Sequence, residues 1–442
     1  VWADGREAYG CHGVTSIENP LPVDPDTAFL IGSVTKTFTA TAVMRLVAAG
    51  KVALDAPVRR YVPELTLSDE RAAAAITVLN LLNHTGGLDW RMSAETGEGD
   101  DALALYVASM AESGLIAPPG ARASYSQVGY NLAGRVIEKV TGLTFERAVA
   151  SLLLEPLGMS HTFFAAADAM TRRFAVGHNL GEDGTLSVAR QWKDTRANNP
   201  GGGAASSAAD LLAWARFHLG DGRAGTGEQI LPAAALAQMR RPTAELRGSS
   251  LGDAIGIGWF LREIGGVRAA GHDGSSNGQF ASLLTVPERD FAVAVLSNAG
   301  PDSGLAVNRA VVGWALEHYL GVADRDPEPL PYDPARAAEV TGIYRNDMMT
   351  LTIRDDGTRL TAEFAIRPEI RAATDTELPP DVPAAGLGLL PGGGDEYIIT
   401  GGGLKGQRGF FTRDHNGQVT AADLAGRQFA RAPATSPDSS GR

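Results

Sequence analysis

The chain has 442 residues, 44% hydrophobic and 20% charged, with a formal net charge of -12. That length exceeds one ordinary core and predicts two domains, while the acidic balance excludes the basic footprint that nucleic acid or an anionic membrane surface requires. A single cysteine, Cys11, rules out an intrachain disulfide and a multi-cysteine zinc site, and the short, interrupted apolar runs predict no membrane-spanning helix.

Val1 to Gly13 alternates weakly around an Asp4-Gly5 turn and reads as a hairpin. The chain opens directly in this strand, with neither an initiator Met nor a charged start before an apolar run. A missing leader is therefore allowed, and both cytoplasmic and exported locations stay open. From Val34 to Ala49 the apolar spacing turns helical and Gly50 offers a stop. Further helices are predicted at Val78–Asn83, Ala102–Ala111, Val128–Val140, Ala208–Leu219 and Leu305–Leu320. Strand-like runs lie at Ile255–Arg262, Val267–Gly271, Phe280–Val286 and Phe291–Ser297. Helices in the middle with strands at both ends predict an α+β domain: one antiparallel sheet built from remote parts of the chain and covered by helices.

A proline-rich stretch at 322–333 reads as a linker after a first domain at 1–321. Beyond it the helical period vanishes. Thr341–Tyr344, Met349–Arg354, Arg359–Phe364, Tyr397–Thr400, Arg408–Thr412 and Val419–Leu424 read as short strands of an all-β barrel domain at 334–432. Residues 433–442 read as a disordered tail.

Three segments carry chemistry. Ser33-Val34-Thr35-Lys36 places a hydroxyl and an amine one turn apart at a helix start, where the amine can take the hydroxyl's proton. Tyr125, in Ser124-Tyr125-Ser126-Gln127, stands on a loop before a helix and offers a phenol that can relay a proton near cationic groups. Gly271-His272-Asp273-Gly274-Ser275 follows an apolar strand, and its glycines let a substrate approach edge N–H groups that can bind an oxyanion. His84 in Asn83-His84-Thr85-Gly86-Gly87 reads as a turn histidine. The remaining histidines (His12, His161, His178, His218, His318 and His415) show no ligand spacing, so no metal and no cofactor is expected.

Ser-x-x-Lys, then Tyr-x-Gln, then His-x-Gly after a strand, in that order, resembles the serine β-lactamase and penicillin-binding-protein superfamily. The likeness is greatest to its class C-like branch of D-aminopeptidases, D-Ala-D-Ala carboxypeptidase-type peptidases and β-lactamase-like esterases. Leu81–Leu88, Gly129–Glu138, Leu154–Met159 and Gly201–Asp210 add to it, over Val1 to Gly321. The C-terminal barrel, with Gly342-Ile343-Tyr344-Arg345 and Gly426-Arg427-Gln428-Phe429, resembles the lipocalin-like domain appended to some of these peptidases. It is expected to cap the cleft, to mediate oligomers or to bind an apolar ligand.

The resemblance implies a cofactor-free hydrolase in which Ser33 is acylated, Lys36 and Tyr125 act as base and acid, and the N–H groups of Ser33 and Ser275 bind the oxyanion. His272 would join Ser33, Lys36 and Tyr125 among the catalytic residues, while Gln127, on the acyl part, with Asp273, Gly274 and Ser275, would bind the substrate. Gln127 replaces the usual asparagine, and His272-Asp273 replaces lysine and threonine, which hold a substrate carboxylate. The expected activity is therefore cleavage of amide bonds in small molecules or short peptides, aminopeptidase-like if Asp273 faces a free amine. Carboxylesterase or transacylase chemistry on the same residues is the alternative, and a non-catalytic ligand-binding or sensor homologue is the reading from another class. A homo-oligomer is compatible with either.

Overall fold

The computed structural model describes residues 1–89, 96–180, 184–193, 195–372, 381–392 and 395–433, those at 301–303 through their backbone only. The chain separates into two units, one of residues 1–246 and 251–325, the other of 247–250 and the chain from Asp326 on.

Eight strands form an antiparallel sheet: β1 (Trp2–Ala3), β2 (Arg6–Glu7), β3 (Ala244–Ser249), β4 (Gly252–Ile255), β5 (Phe260–Ile264), β6 (Val267–Ser276), β7 (Gln279–Val286) and β8 (Phe291–Ser297). Their order is β2-β1-β8-β7-β6-β5-β4-β3, so the start of the chain closes one side of a sheet made mainly from residues beyond 244. The predicted run Ile255–Arg262 is broken by a turn. Gly258 adopts φ +76° there, and a Cβ on it would strike the side chain of Ala40.

Strand alternation sends successive side chains to two different cores. Ala281 and Leu283 of β7 join a cluster with residues of helices α1 (Thr35–Ala48), α2 (Val78–Leu82), α3 (Ala102–Ala108), α4 (Gln127–Thr141) and α5 (Ala208–Leu219). Leu284 and Val286 instead pack with Ala315 and Leu316 of α6 (Pro301–Leu320). Helix α1 is buried on nearly every side, as an apolar helix passing through a core must be. Its threonines remain satisfied: Thr35 Oγ1 donates to Gly32 O, Thr37 Oγ1 to Val34 O and Thr41 Oγ1 to Thr37 O. Helix α4 starts where the Ser126 hydroxyl accepts the Gly129 N–H and stops at Gly142, whose φ is +71°.

The second unit closes eight antiparallel strands into a barrel: β9 (Gly342–Arg345), β10 (Met349–Asp355), β11 (Leu360–Ile366), β12 (Val382–Leu389), β13 (Glu396–Ile399), β14 (Arg408–Arg413), β15 (Val419–Leu424) and β16 (Arg427–Arg431). Sequence reasoning found six of these and passed over β12 and β16. β12 reads Val-Pro-Ala-Ala-Gly-Leu-Gly-Leu, too rich in small residues to show strand alternation, yet Ala385 and Leu387 still point into the core. Tyr344, Leu351, Phe364, Tyr397, Phe411 and Phe429 belong to the buried core of this unit. The buried phenols are satisfied, Tyr344 donating to Val340 O at 2.6 Å and Tyr397 to Asp423 O at 2.9 Å. The tail read as disordered lies outside the described residues from 434 on.

Candidate active site

Ser33 occupies a 3-10 turn, Gly32–Val34, that runs straight into α1. One turn on, Lys36 is fully buried. Its ammonium donates to three acceptors: Ser33 Oγ at 3.1 Å, Gln127 Oε1 at 2.6 Å and Gly201 O at 2.5 Å. A buried lysine with its three donor directions assigned is held in place rather than solvated.

The Gly201 carbonyl is delivered by the segment Asn199-Pro200-Gly201-Gly202-Gly203. Thr39 Oγ1 of α1 donates to Pro200 O at 2.6 Å. A Cβ on Gly201 would overlap the Gln127 amide, so glycine lets the two groups stack. Upstream, Asn199 Nδ2 donates to Glu146 Oε1 at 2.6 Å while Lys193 donates to its oxygen. Arg196 grips both Glu146 oxygens at 3.2 Å. Burial pushes the Glu146 carboxyl pKa up, but the bonds from Arg196 and Asn199 outweigh it and hold the group below the usual range.

Gln127 does not wait open for a ligand. Besides accepting from Lys36, it donates from Nε2 to Asn198 Oδ1 at 2.6 Å. Its extra methylene lets one amide span from the lysine to the 198–203 segment. Tyr125 is buried, with its ring centroid 4.8 Å from Lys36 Nζ. Phe260 and His272 lie beside that ring, at centroid distances of 6.0 and 6.2 Å.

β6 supplies the opposite wall. β5 pairs with it only as far as Gly271↔Phe260, while β7 continues to Ser276↔Gln279. The stretch 272–276 thus turns its β5-side edge toward the Ser33 turn. Two glycines allow the approach: a Cβ on Gly274 would fall inside the Ile31 carbonyl and 2.7 Å from Ser33 N, and one on Gly32 would lie 2.5 Å from Ser275 N. Gly32 also has φ +49°. The backbones carrying the Ser33 and Ser275 N–H groups therefore lie against each other, as a two-donor oxyanion site needs.

Alternation along β6 divides the predicted residues. His272 and Gly274 pair with Leu283 and Ala281, which belong to the helical core, whereas Asp273 pairs with Ser282, beside Leu284 of the α6 face. The His272 side chain therefore shares the Ser33 side and that of Asp273 does not, which removes the proposed amine partner from the Ser33 side. A strand cannot point neighbouring residues the same way. Asp273 stays open to solvent although protein crowds around it. That crowding raises its carboxyl pKa against the pull of the Ser282 hydroxyl and of Arg262 and Arg309.

His272 is neutral. Burial and the nearby Lys36 charge depress its pKa to about 3, opposed by the bond to the Asp273 carbonyl. That carbonyl lies 2.6 Å from Nδ1, so Nδ1 carries the hydrogen and Nε2 is an acceptor with no partner among the described residues.

Sequence reasoning missed the Gly201 carbonyl and Asn198 as parts of the site. A backbone carbonyl leaves no side-chain signature, and the glycine run at 201–203 was the one hint. Among the described residues no group of three or more His, Cys, Asp or Glu could hold a metal ion, and no helix is long and apolar enough to cross a membrane.

Residues 1–316 match the family model described as "Beta-lactamase". Penicillin-binding protein 4 of Amycolatopsis lactamdurans is 37% identical over 354 residues, covering 78% of this chain and 92% of that protein. The crystal structure of SurE superposes with a TM-score of 0.73 at 28% identity, over 98% of this chain and 93% of SurE. SurE with D-Leu gives 0.71 at 28% identity, over 97% and 93%. A class C beta lactamase from Rhodobacter sphaeroides shares the fold alone, with a TM-score of 0.57 at 24% identity over 70% of this chain and 91% of that one.

Proposed function

Since the chain belongs to the beta-lactamase family and is a serine hydrolase of it, we propose that it cleaves amide bonds of short peptides or small molecules whose acyl side is a D-amino acid residue. Ser33 is the nucleophile in this reading. The observation that carries it is the three-way hold on Lys36 Nζ by Ser33, Gln127 and Gly201. Once the ammonium has lost a proton, two N–H groups stay on Gln127 Oε1 and Gly201 O and the lone pair faces the Ser33 hydroxyl.

Ser33 Oγ gives its proton to that amine as it attacks the substrate carbonyl carbon. The carbonyl oxygen becomes an oxyanion between the N–H groups of Ser33 and Ser275. Collapse breaks the C–N bond, and the leaving amine takes a proton passed from Lys36 through the Tyr125 phenol. Water, giving a proton back along the same groups, then attacks the acyl-Ser33 carbonyl, releases the acid and restores the hydroxyl.

Two observations bear on the substrate. His272, uncharged and with a buried acceptor that has no partner among the described residues, offers no cation for a substrate carboxylate, so the leaving side is an amide or ester without a free carboxylate beside the reacting bond. SurE, similar over nearly all of this chain, was crystallised with D-Leu, which favours a D residue on the acyl side. A second reading has one specific support: the 37% identity to a penicillin-binding protein favours acylation of Ser33 by penicillin with slow release.

D- and L-alanine p-nitroanilides, p-nitrophenyl acetate and a chromogenic cephalosporin, assayed side by side, test both readings. The D anilide is expected to be hydrolysed at least about tenfold faster than its L isomer, a difference of about 1.4 kcal/mol in barrier. The cephalosporin should turn over weakly. Preference for the L anilide would overturn the substrate proposal, and rapid cephalosporin turnover would show that His272 does not exclude a carboxylate.

A further inference from the structure

We propose that His84 is the positioning residue for Tyr125, gripping the peptide on both sides of it. This rests on the role given to Tyr125 above. The Ser124 N–H donates to the His84 carbonyl at 2.8 Å and the Ser126 N–H donates to His84 Nδ1 at 3.0 Å. Both residues flanking the phenol are therefore tied to one histidine, once through its backbone and once through its ring. That ring also packs directly on the phenol, with centroids 4.5 Å apart.

The grip costs backbone energy. His84 has φ +59°, a left-handed conformation that only a few residue types tolerate. It is 3% exposed, so the strain is held inside the core rather than in a loose loop. The turn that imposes it is itself braced: the Asn83 side chain accepts from the Thr85 N–H at 3.2 Å and hydroxyl at 2.6 Å, and Thr85 O accepts from the Gly120 N–H at 2.7 Å. Since Nδ1 accepts a backbone N–H, it carries no hydrogen of its own. The His84 ring also meets Tyr130, at 5.1 Å between centroids, and Phe260, at 6.2 Å. The phenol is thereby fixed by a histidine that sequence reasoning assigned to a turn, with no contact to substrate required of it.

Two substitutions separate positioning from mere stability. In His84→Asn the side-chain oxygen stands where Nδ1 stood and asparagine tolerates the left-handed backbone, so the Ser126 bond can re-form. In His84→Phe an aromatic ring is kept and the acceptor is lost. The readout is kcat/KM on the p-nitroanilide the screen selects, whose leaving amine takes its proton through Tyr125, with thermal melts of every variant.

Tyr125→Phe is expected to slow anilide hydrolysis by about 10²-fold, the low end for a lost proton relay. His84→Phe should slow it by a similar factor, and the double variant should be no slower than Tyr125→Phe alone, because both act through one group. His84→Asn should stay within about fivefold of the parent, a rescue that loss of packing would not give. If the His84→Phe and Tyr125→Phe effects multiply, or if His84→Asn falls as far as His84→Phe, the inference is overturned while the catalytic reading stands. If Tyr125→Phe hydrolyses the anilide at the parent rate, the catalytic role of the phenol fails and this inference goes with it.

Discussion

Both units of the chain pack apolar cores, and among the described residues the hydrolase unit also buries a cluster of polar side chains that the barrel lacks. The barrel buries aromatic and aliphatic side chains, and its buried phenols end on backbone carbonyls of the same unit. The hydrolase unit buries Lys36, His84, Gln127, Asn131, Asn199 and His272 as well, with Lys36 bonded to the Ser33 hydroxyl. Burying so many polar groups costs free energy unless each is bonded, and here the bonds converge on Ser33 and its neighbours. A packed apolar interior answers for stability. A buried polar cluster that leaves His272 Nε2 without a partner among the described residues spends stability, as functional sites do.

That contrast can be broken in either unit. Lys36→Ala removes the amine at the centre of the polar cluster and should lower turnover by about 10⁴-fold or more, measured as kcat/KM on whichever anilide the screen selects. Retention of activity within tenfold would remove the lysine from the chemistry. In the barrel, Phe411→Ala takes out a fully buried ring and should cost about 3–5 kcal/mol in that unit's stability, read by denaturant unfolding. A loss below about 1 kcal/mol would mean the interior is less tightly packed than its burial indicates.

Smaller effects sharpen the comparison. Gly274→Ala places a methyl group against the Ile31 carbonyl and the Ser33 turn, and should cut acylation by about 10²-fold through the displaced oxyanion donors. Near-normal acylation would place the oxyanion elsewhere. His272 gives the smallest signal, and it is one of stability. Its folded pKa of about 3 lies below the ordinary 6.5, so the unfolded chain binds the extra proton between those values. The stabilisation is complete above about pH 6.5 and is lost as pH falls toward 3, amounting to about 2 kcal/mol by pH 5. Parallel denaturant titrations at pH 7 and pH 5 should show that slope in the parent and a flatter one in His272→Asn. Equal slopes would mean His272 titrates normally.

How much of this was legible in the sequence depended on distance along the chain. Ser33 and Lys36 lie three residues apart, so helical geometry alone predicts that they meet. Tyr125 and His272 are 92 and 239 residues from Ser33, and the order of the motifs within a known family, rather than any local pattern, placed them in one cleft. Helix and strand periodicity predicted the sheet and its helical cover, because those elements bury one face each. It failed at β12, where alanine and glycine mute the alternation. Asp273 was assigned to the site beside His272, although consecutive strand residues face opposite sides. Glycines were the least legible of all: at 32, 201 and 274 they mark places where another group needs the volume of a side chain, and that need exists only once the chain has folded.

Intact-mass spectrometry after fluorophosphonate treatment tests the central claim most directly. The folded protein should gain one phosphonyl adduct, mapped by peptide analysis to Ser33 and missing from Ser33→Ala of unchanged melting temperature. An adduct on any other residue, or none at all on the folded parent, would contradict the account.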